Sequence, residues 1–186
     1  MSLLQRTREL LKRYRFYPKK RLGQHFVTDR ALLERMTSYA SLSPEDVVLE
    51  VGAGLGFLTR LLAERCGQVI AVEIDGGLMG ILRDELRDMG NVKLVHGDVL
   101  DTSLPRFNKV VSTPPYSISS PLLFWLLDRP LDCAVVAFQE EFAQRLTAPV
   151  GCRDYSRLTV ATYYRADAEL LDFVPKSAFY PSPEVD

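Results

Sequence analysis

Apolar positions along this chain follow two alternating rhythms. Compact apolar runs at residues 47–51, 69–72, 92–95, 109–112 and 134–138 alternate with longer stretches at 57–66, 78–89 and 119–127. The runs have the length and β-branched content of buried strands, and the stretches have the three-to-four-residue period of helices. Strands alternating with helices predict a mostly parallel sheet covered on both faces. Residues 140–146 and 155–164 read as further helices, and 170–173 as a sixth strand. Upstream, residues 3–16 read as a helix ended by Tyr17-Pro18, and 19–28 as an extended arm. Asp29 is placed to cap a helix reaching Tyr39, with Leu32, Leu33 and Met36 on one face. The expected division is a basic helix and arm over residues 1–28 and an α/β domain over 29–186.

Composition narrows the classes. A chain of 186 residues that is 47% hydrophobic can bury one domain core. No apolar run approaches the ~18 residues of a membrane span, and the charged N-terminus does not read as a secretory leader. Cys66, Cys133 and Cys152 lie far apart, and His25 and His96 are the only histidines, so no metal site is expected. The net charge is −1, but residues 1–25 hold eight Lys/Arg against Glu9 alone. A basic segment on an acidic body fits attachment to RNA phosphates, or a solvated leader helix.

The most informative local pattern is 48–59, where a strand enters Gly52-Ala53-Gly54-Leu55-Gly56 and then a helix. Glycines there let the backbone turn tightly and approach a ligand. The G-x-G-x-G spacing departs from the G-x-G-x-x-G of nicotinamide folds, whose pyrophosphate sits on a helix N-terminus. S-adenosylmethionine has no phosphate and needs only close passage beside Gly52 and Gly54. Glu73 ends the next strand, where an acid meets ribose hydroxyls in nucleoside-binding sheets. Asp98 follows the third strand and can accept from an adenine amine. Each feature alone also reads as a turn or a helix cap; together, after successive strands, they face one cleft.

The fourth strand runs into Ser112-Thr113-Pro114-Pro115-Tyr116. Two prolines hold the backbone extended and leave carbonyls of Thr113 and Pro114 without helix partners. Tyr116 offers a face for stacking a base, and Phe179 in the 179–183 corner offers another; both also read as ordinary packing. An adenine N6 lone pair is delocalised into its ring, so acceptors on its N–H bonds that favour a pyramidal nitrogen would promote attack on a methyl donor. The base has to leave its stack to reach such a pocket.

The chain resembles the ribosomal RNA adenine N6-dimethyltransferases, the KsgA family. The resemblance runs from about Lys20 to Asp186 through Gln24-His25-Phe26-Val27, the 50–59 loop, Val72-Glu73-Ile74-Asp75, Gly97-Asp98, the Pro-Tyr turn, the segments 139–146 and 155–158, and Phe179-x-Pro181-x-Pro183. It implies a class I S-adenosylmethionine-dependent methyltransferase with a Rossmann-like, mostly parallel sheet. It places His25, Val27, Gly52, Glu73, Asp98 and Thr113 against S-adenosylmethionine, and Thr113, Pro114, Tyr116 and Phe179 around the reacting base. The implied substrate is a pair of adjacent adenosines in a small-subunit rRNA hairpin, the implied partner the small ribosomal subunit, and the setting cytoplasmic, with the protein a monomer.

Two departures from the family are visible. Threonine stands at 113 where the family usually has asparagine, which shortens one amine acceptor. The family also continues past the Pro-x-Pro corner into a seventh strand and a helical domain that this sequence does not contain. Competing readings are adenine N6 methylation of large-subunit rRNA or DNA, a non-catalytic ribosome-assembly factor, and a nicotinamide oxidoreductase.

Overall fold

A computed structural model describes residues 1–183; the last three residues of the expected 29–186 domain lie outside the described residues. Helix α1 (Leu3–Arg13) starts at a reciprocal cap, where the Ser2 hydroxyl accepts from Gln5 N and the Gln5 side chain accepts from Ser2 N. It ends earlier than the sequence pattern predicts. Arg15 takes a left-handed φ of 50°, Phe16 N donates to Leu11 O at 2.9 Å, and Arg15 N to Lys12 O at 3.2 Å. Those two bonds terminate a helix as a Schellman motif, here without its usual glycine. The arm then folds into a single 3-10 turn (Lys20–Leu22) and strand β1 (Phe26–Val27). Asp29 caps α2 (Arg30–Tyr39), its carboxylate accepting from Ala31 N and Leu32 N, as expected from the sequence.

The body follows the predicted alternation: β2 (Val47–Val51), α3 (Phe57–Ala63), β3 (Gln68–Glu73), α4 (Gly76–Glu85), β4 (Val92–His96), β5 (Lys109–Ser112), α5 (Ser119–Leu127), β6 (Cys133–Val136), α6 (Glu140–Leu146) and α7 (Arg157–Tyr163). The five strands β2–β6 form one fully parallel sheet in the order β4-β3-β2-β5-β6. Successive β2 residues serve opposite faces: Val48 joins the core under α2 and α3, whereas Leu49 and Val51 join the core under α5. The chain runs outward from β2 to β4, then returns across β2 to lay down β5 and β6. The strand order therefore reverses between β2 and β5, the place where open parallel sheets bind ligands beyond their carboxyl ends. Parallel register puts Val51 beside Val72 and Glu73 beside His96, so the loops after β2, β3 and β4 emerge side by side.

Two features differ from the sequence pattern. Residues 170–173 form no strand; Leu170, Leu171 and Phe173 are exposed, and no described strand pairs with them. A strand exists only where its backbone finds a ladder partner, which an apolar run cannot supply alone. The second difference is a gain. β1 pairs antiparallel with β7 (Phe179–Tyr180), joining the arm to residues about 150 positions away. Leu10 and Leu11 of α1 are buried with Phe26, Leu55, Leu78 and Ile81, so the leader helix shares a core with the α/β body.

Candidate functional site

A cavity opens at the β2–β5 switch point, and all ten residues singled out from the sequence line it. The loop after β2 contributes Gly52 and Gly54, the ends of β3 and β4 contribute Glu73 and Asp98, the arm contributes His25 and Val27 with Phe179 paired to it, and the turn after β5 contributes Thr113, Pro114 and Tyr116.

The glycine loop needs its bare backbone. Gly52 has φ of 76°, and a Cβ there would stand 3.3 Å from Cδ of Pro115. Gly54 has φ of 59°, and a Cβ would stand 3.2 Å from the Phe26 ring. Both positions combine a left-handed conformation with close approach, which only glycine accepts without strain. They bring the proline turn against the loop at Gly52 and the arm against it at Gly54. Gly52 N and Ala53 N both donate to the Val72 carbonyl, at 2.8 and 3.2 Å, which ties the loop to the end of β3.

Glu73 is held from two directions: its Oε2 accepts from Gly54 N and its Oε1 from Asp75 N, each at 2.9 Å. Burial raises its carboxyl above the ordinary value, while the amide bonds from Asp75 and Gly54 oppose that rise. Each oxygen keeps a lone pair beyond these bonds, enough to accept from a vicinal diol. Asp98 folds back to accept from Leu100 N at 2.9 Å, which fixes its carboxylate at the mouth of the β4 loop. His25 Nδ1 donates to the Pro181 carbonyl at 2.7 Å. A carbonyl cannot donate, so Nδ1 carries a proton.

Across the cavity, the Ser112 hydroxyl donates to Val51 O at 2.7 Å and locks the end of β5 onto β2. Pro114 is buried, and the Pro115 carbonyl accepts from Ile118 N at 3.1 Å. No hydrogen bond to the Pro114 carbonyl or the Thr113 hydroxyl forms among the described residues.

Glu50 is a functional candidate that the sequence pattern did not single out. It lines the cavity, is 2% exposed, and its Oε2 has no hydrogen-bond partner. Burial pushes its carboxyl up to about 8, with Thr59 acting the other way and neighbouring Glu73 adding to the rise. Its signal was in the sequence: an acid inside the otherwise apolar run 47–51.

The basic leader is less free than its composition suggests. Arg6 pairs with Glu85 at 2.7 Å and with Glu9, Arg13 lies 3.7 Å from Glu85, and Lys19 lies 2.8 Å from Asp75. Lys12, Arg15, Lys20 and Arg21 stay exposed without an ion pair among the described residues.

A fully parallel sheet in this order, with a glycine loop after β2 and an acid at the end of β3, is the doubly wound nucleoside-binding arrangement that class I methyltransferases share. The family model for ribosomal RNA adenine dimethylase matches residues 15–186, and the chain belongs to that family. It is 48% identical over 180 residues to a Methanosarcina mazei protein described as "Probable ribosomal RNA small subunit methyltransferase A", covering 97% of this chain and 66% of that one. Among solved structures, a dimethyladenosine transferase from Plasmodium falciparum superposes with a TM-score of 0.78 at 34% identity, covering 87% of this chain and 60% of that one. The 23S rRNA methyltransferase ErmE superposes at 0.76 and 36% identity, covering 87% and 66%. The chain thus spans 60–66% of the length of these proteins.

Proposed function

We propose that this chain transfers methyl groups from S-adenosylmethionine to N6 of adjacent adenosines in a small-subunit rRNA hairpin, two per nucleotide. The observation that carries the reading is the shared cavity, in which Gly52, Gly54, Glu73 and Asp98 meet a rigid turn whose Pro114 carbonyl and Thr113 hydroxyl are unbonded among the described residues. The residues present fit the cofactor. Glu73 holds lone pairs for a ribose, Asp98 for an adenine amine, and the unpartnered Glu50 oxygen sits deep in the same cavity. His25 and Val27 cover the side formed by the arm.

When bound, the cofactor supplies an electrophilic methyl on a sulfonium. The rest belongs to the chain. Tyr116 and Phe179 offer aromatic faces for a base drawn out of its stack, at about 1–3 kcal/mol per stacked base. The Pro114 carbonyl and the Thr113 hydroxyl accept from the two N–H bonds and turn the nitrogen lone pair toward the donor. Catalysis is then mainly positioning and electrostatics. No strong base is needed, because a methylated anilinium-like nitrogen loses its proton readily. Lys12, Arg15, Lys20 and Arg21, with Arg8, supply a basic edge for RNA phosphates. The protein is read as a cytoplasmic monomer that needs no metal.

The test is incubation with separated ribosomal subunits and labelled S-adenosylmethionine, followed by mass spectrometry of the rRNA. Dimethyladenosine in small-subunit rRNA is expected. The likeness to ErmE favours large-subunit rRNA as the second reading, and label there alone would establish it instead. Cofactor binding with no transfer to either subunit would point to an assembly factor.

A further inference from the structure

Asp75 stands two residues beyond Glu73 and is buried, yet it contributes nothing to the cavity. Its carboxylate is instead saturated by the arm. Lys19 Nζ reaches Oδ1 at 3.0 Å and Oδ2 at 2.8 Å, Gln24 Nε2 donates to Oδ2 at 2.8 Å, and Gly77 N donates to Oδ1 at 2.9 Å. The Gln24 side-chain oxygen Oε1 accepts from Lys19 N at 2.8 Å, which closes a ring through the arm's own backbone. Burial alone would raise this carboxyl; Lys19, Gln24 and the Gly77 amide outweigh it and hold Asp75 below its ordinary value.

The arm is secured at two points. Its far end is held by the β1–β7 pair, by His25 on the Pro181 carbonyl and by Thr28 N on Ala178 O at 2.7 Å. Its near end is held by Asp75. The residues Gly23 to Val27, which include Gln24 of the near anchor and His25 and β1 of the far one, all line the cavity, and Phe26 is seated on Gly54.

We propose that Lys19, Gln24 and Asp75 form a clasp that closes the arm over the bound cofactor, with Asp75 and Lys19 acting as positioning residues that set cofactor affinity and retention, not the methyl-transfer step. The proposal rests on the cofactor reading above. Two acids on one strand end thus divide the work: Glu73 faces the ligand, and Asp75 fastens the cover over it. Opening the clasp exposes a buried carboxylate, so the closed arm is favoured until a charge-assisted contact is removed.

Lys19 separates clasp from fold, because its half-exposed side chain is no part of the core and leaves the α4 cap to Asp75. Lys19→Met is expected to raise the dissociation constant for S-adenosylhomocysteine about three- to tenfold, the range for one charged hydrogen bond in a partly exposed site. It should leave kcat at saturating cofactor within about twofold and raise KM for the cofactor in parallel, the pattern of lost uniform binding. Lys19→Arg should restore affinity. Backbone amide exchange over residues 24–28 should quicken in Lys19→Met without a matching change in thermal midpoint. An unchanged dissociation constant, or a loss confined to kcat, overturns the clasp. If the unaltered chain binds no S-adenosylhomocysteine, the functional reading fails instead; the exchange experiment on the free protein still decides whether Lys19 fastens the arm, and unchanged exchange there overturns the clasp on its own.

Discussion

The two walls of the cavity are made rigid in opposite ways. On the β2–β4 side, rigidity comes from hydrogen bonds: Glu73 accepts two amide protons, Asp98 one, and the loop amides of Gly52 and Ala53 share the Val72 carbonyl. On the β5 side it comes from covalent geometry, with Pro114 and Pro115 fixing the turn while the Pro114 carbonyl and the Thr113 hydroxyl stay unbonded among the described residues. The contrast suits two different tasks. A donor that is spent and replaced at every transfer is recognised again each time by the same contacts, so it is best met by groups already oriented by their neighbours. A base that arrives and leaves with each transfer is best met by acceptors with no internal partner to give up.

That division can be broken from either side. Tyr116→Ala should have the largest effect, lowering kcat by about 10²–10³, the scale of misplacing a reacting group by about 1 Å or losing one stabilising contact. Cofactor affinity, read by calorimetry, should stay within about threefold. Glu73→Gln should do the reverse, raising the dissociation constant for S-adenosylhomocysteine by about 10- to 100-fold for the loss of a charged acceptor, while kcat at saturation changes little. Thr113→Asn lengthens the amine acceptor and should raise kcat by about tenfold, equivalent to ~1.4 kcal/mol, with cofactor affinity unchanged. Changes that cross over, with Tyr116→Ala weakening the cofactor or Glu73→Gln stopping transfer at saturation, would erase the distinction between the walls.

A further effect, on stability and not on turnover, concerns Glu50. Its carboxyl stays protonated in the folded chain up to about 8, whereas the unfolded chain gives up that proton near the ordinary carboxylate value. Over the interval between those values the folded state binds more protons, so stability falls as pH rises and levels off above the folded value. The thermal midpoint should therefore drop by several degrees between about pH 5.5 and 7.5, at roughly 2–4 °C per kcal/mol for a domain of this size. Glu50→Gln should flatten that drop. An identical slope in both proteins would show that Glu50 is not the group responsible.

What could be seen in advance was what repeats locally. The β2–β6 alternation, the glycine loop, Glu73 and Asp98 each announce themselves within a few residues, through apolar period or through an acid at a strand end. Features built from distant pairs were hidden. The β1–β7 ladder joins Phe26 to Tyr180, and the clasp joins Lys19 to Asp75, with no local pattern to mark either. The end of α1 was missed because its left-handed residue is Arg15 and not a glycine. The apolar run 170–173 looked like a strand because period reports burial tendency and says nothing of a ladder partner. The basic leader misled in part, since Arg6, Arg13 and Lys19 spend their charge on Glu85, Glu9 and Asp75.

The most direct test is a crystal structure of the chain soaked with S-adenosylhomocysteine. The account predicts ligand density between the walls, ribose hydroxyls on Glu73, the adenine amine on Asp98, and the sulfur directed at the turn carrying Pro114 and Tyr116. Density outside this cavity, or a sulfur turned away from that turn, would contradict it.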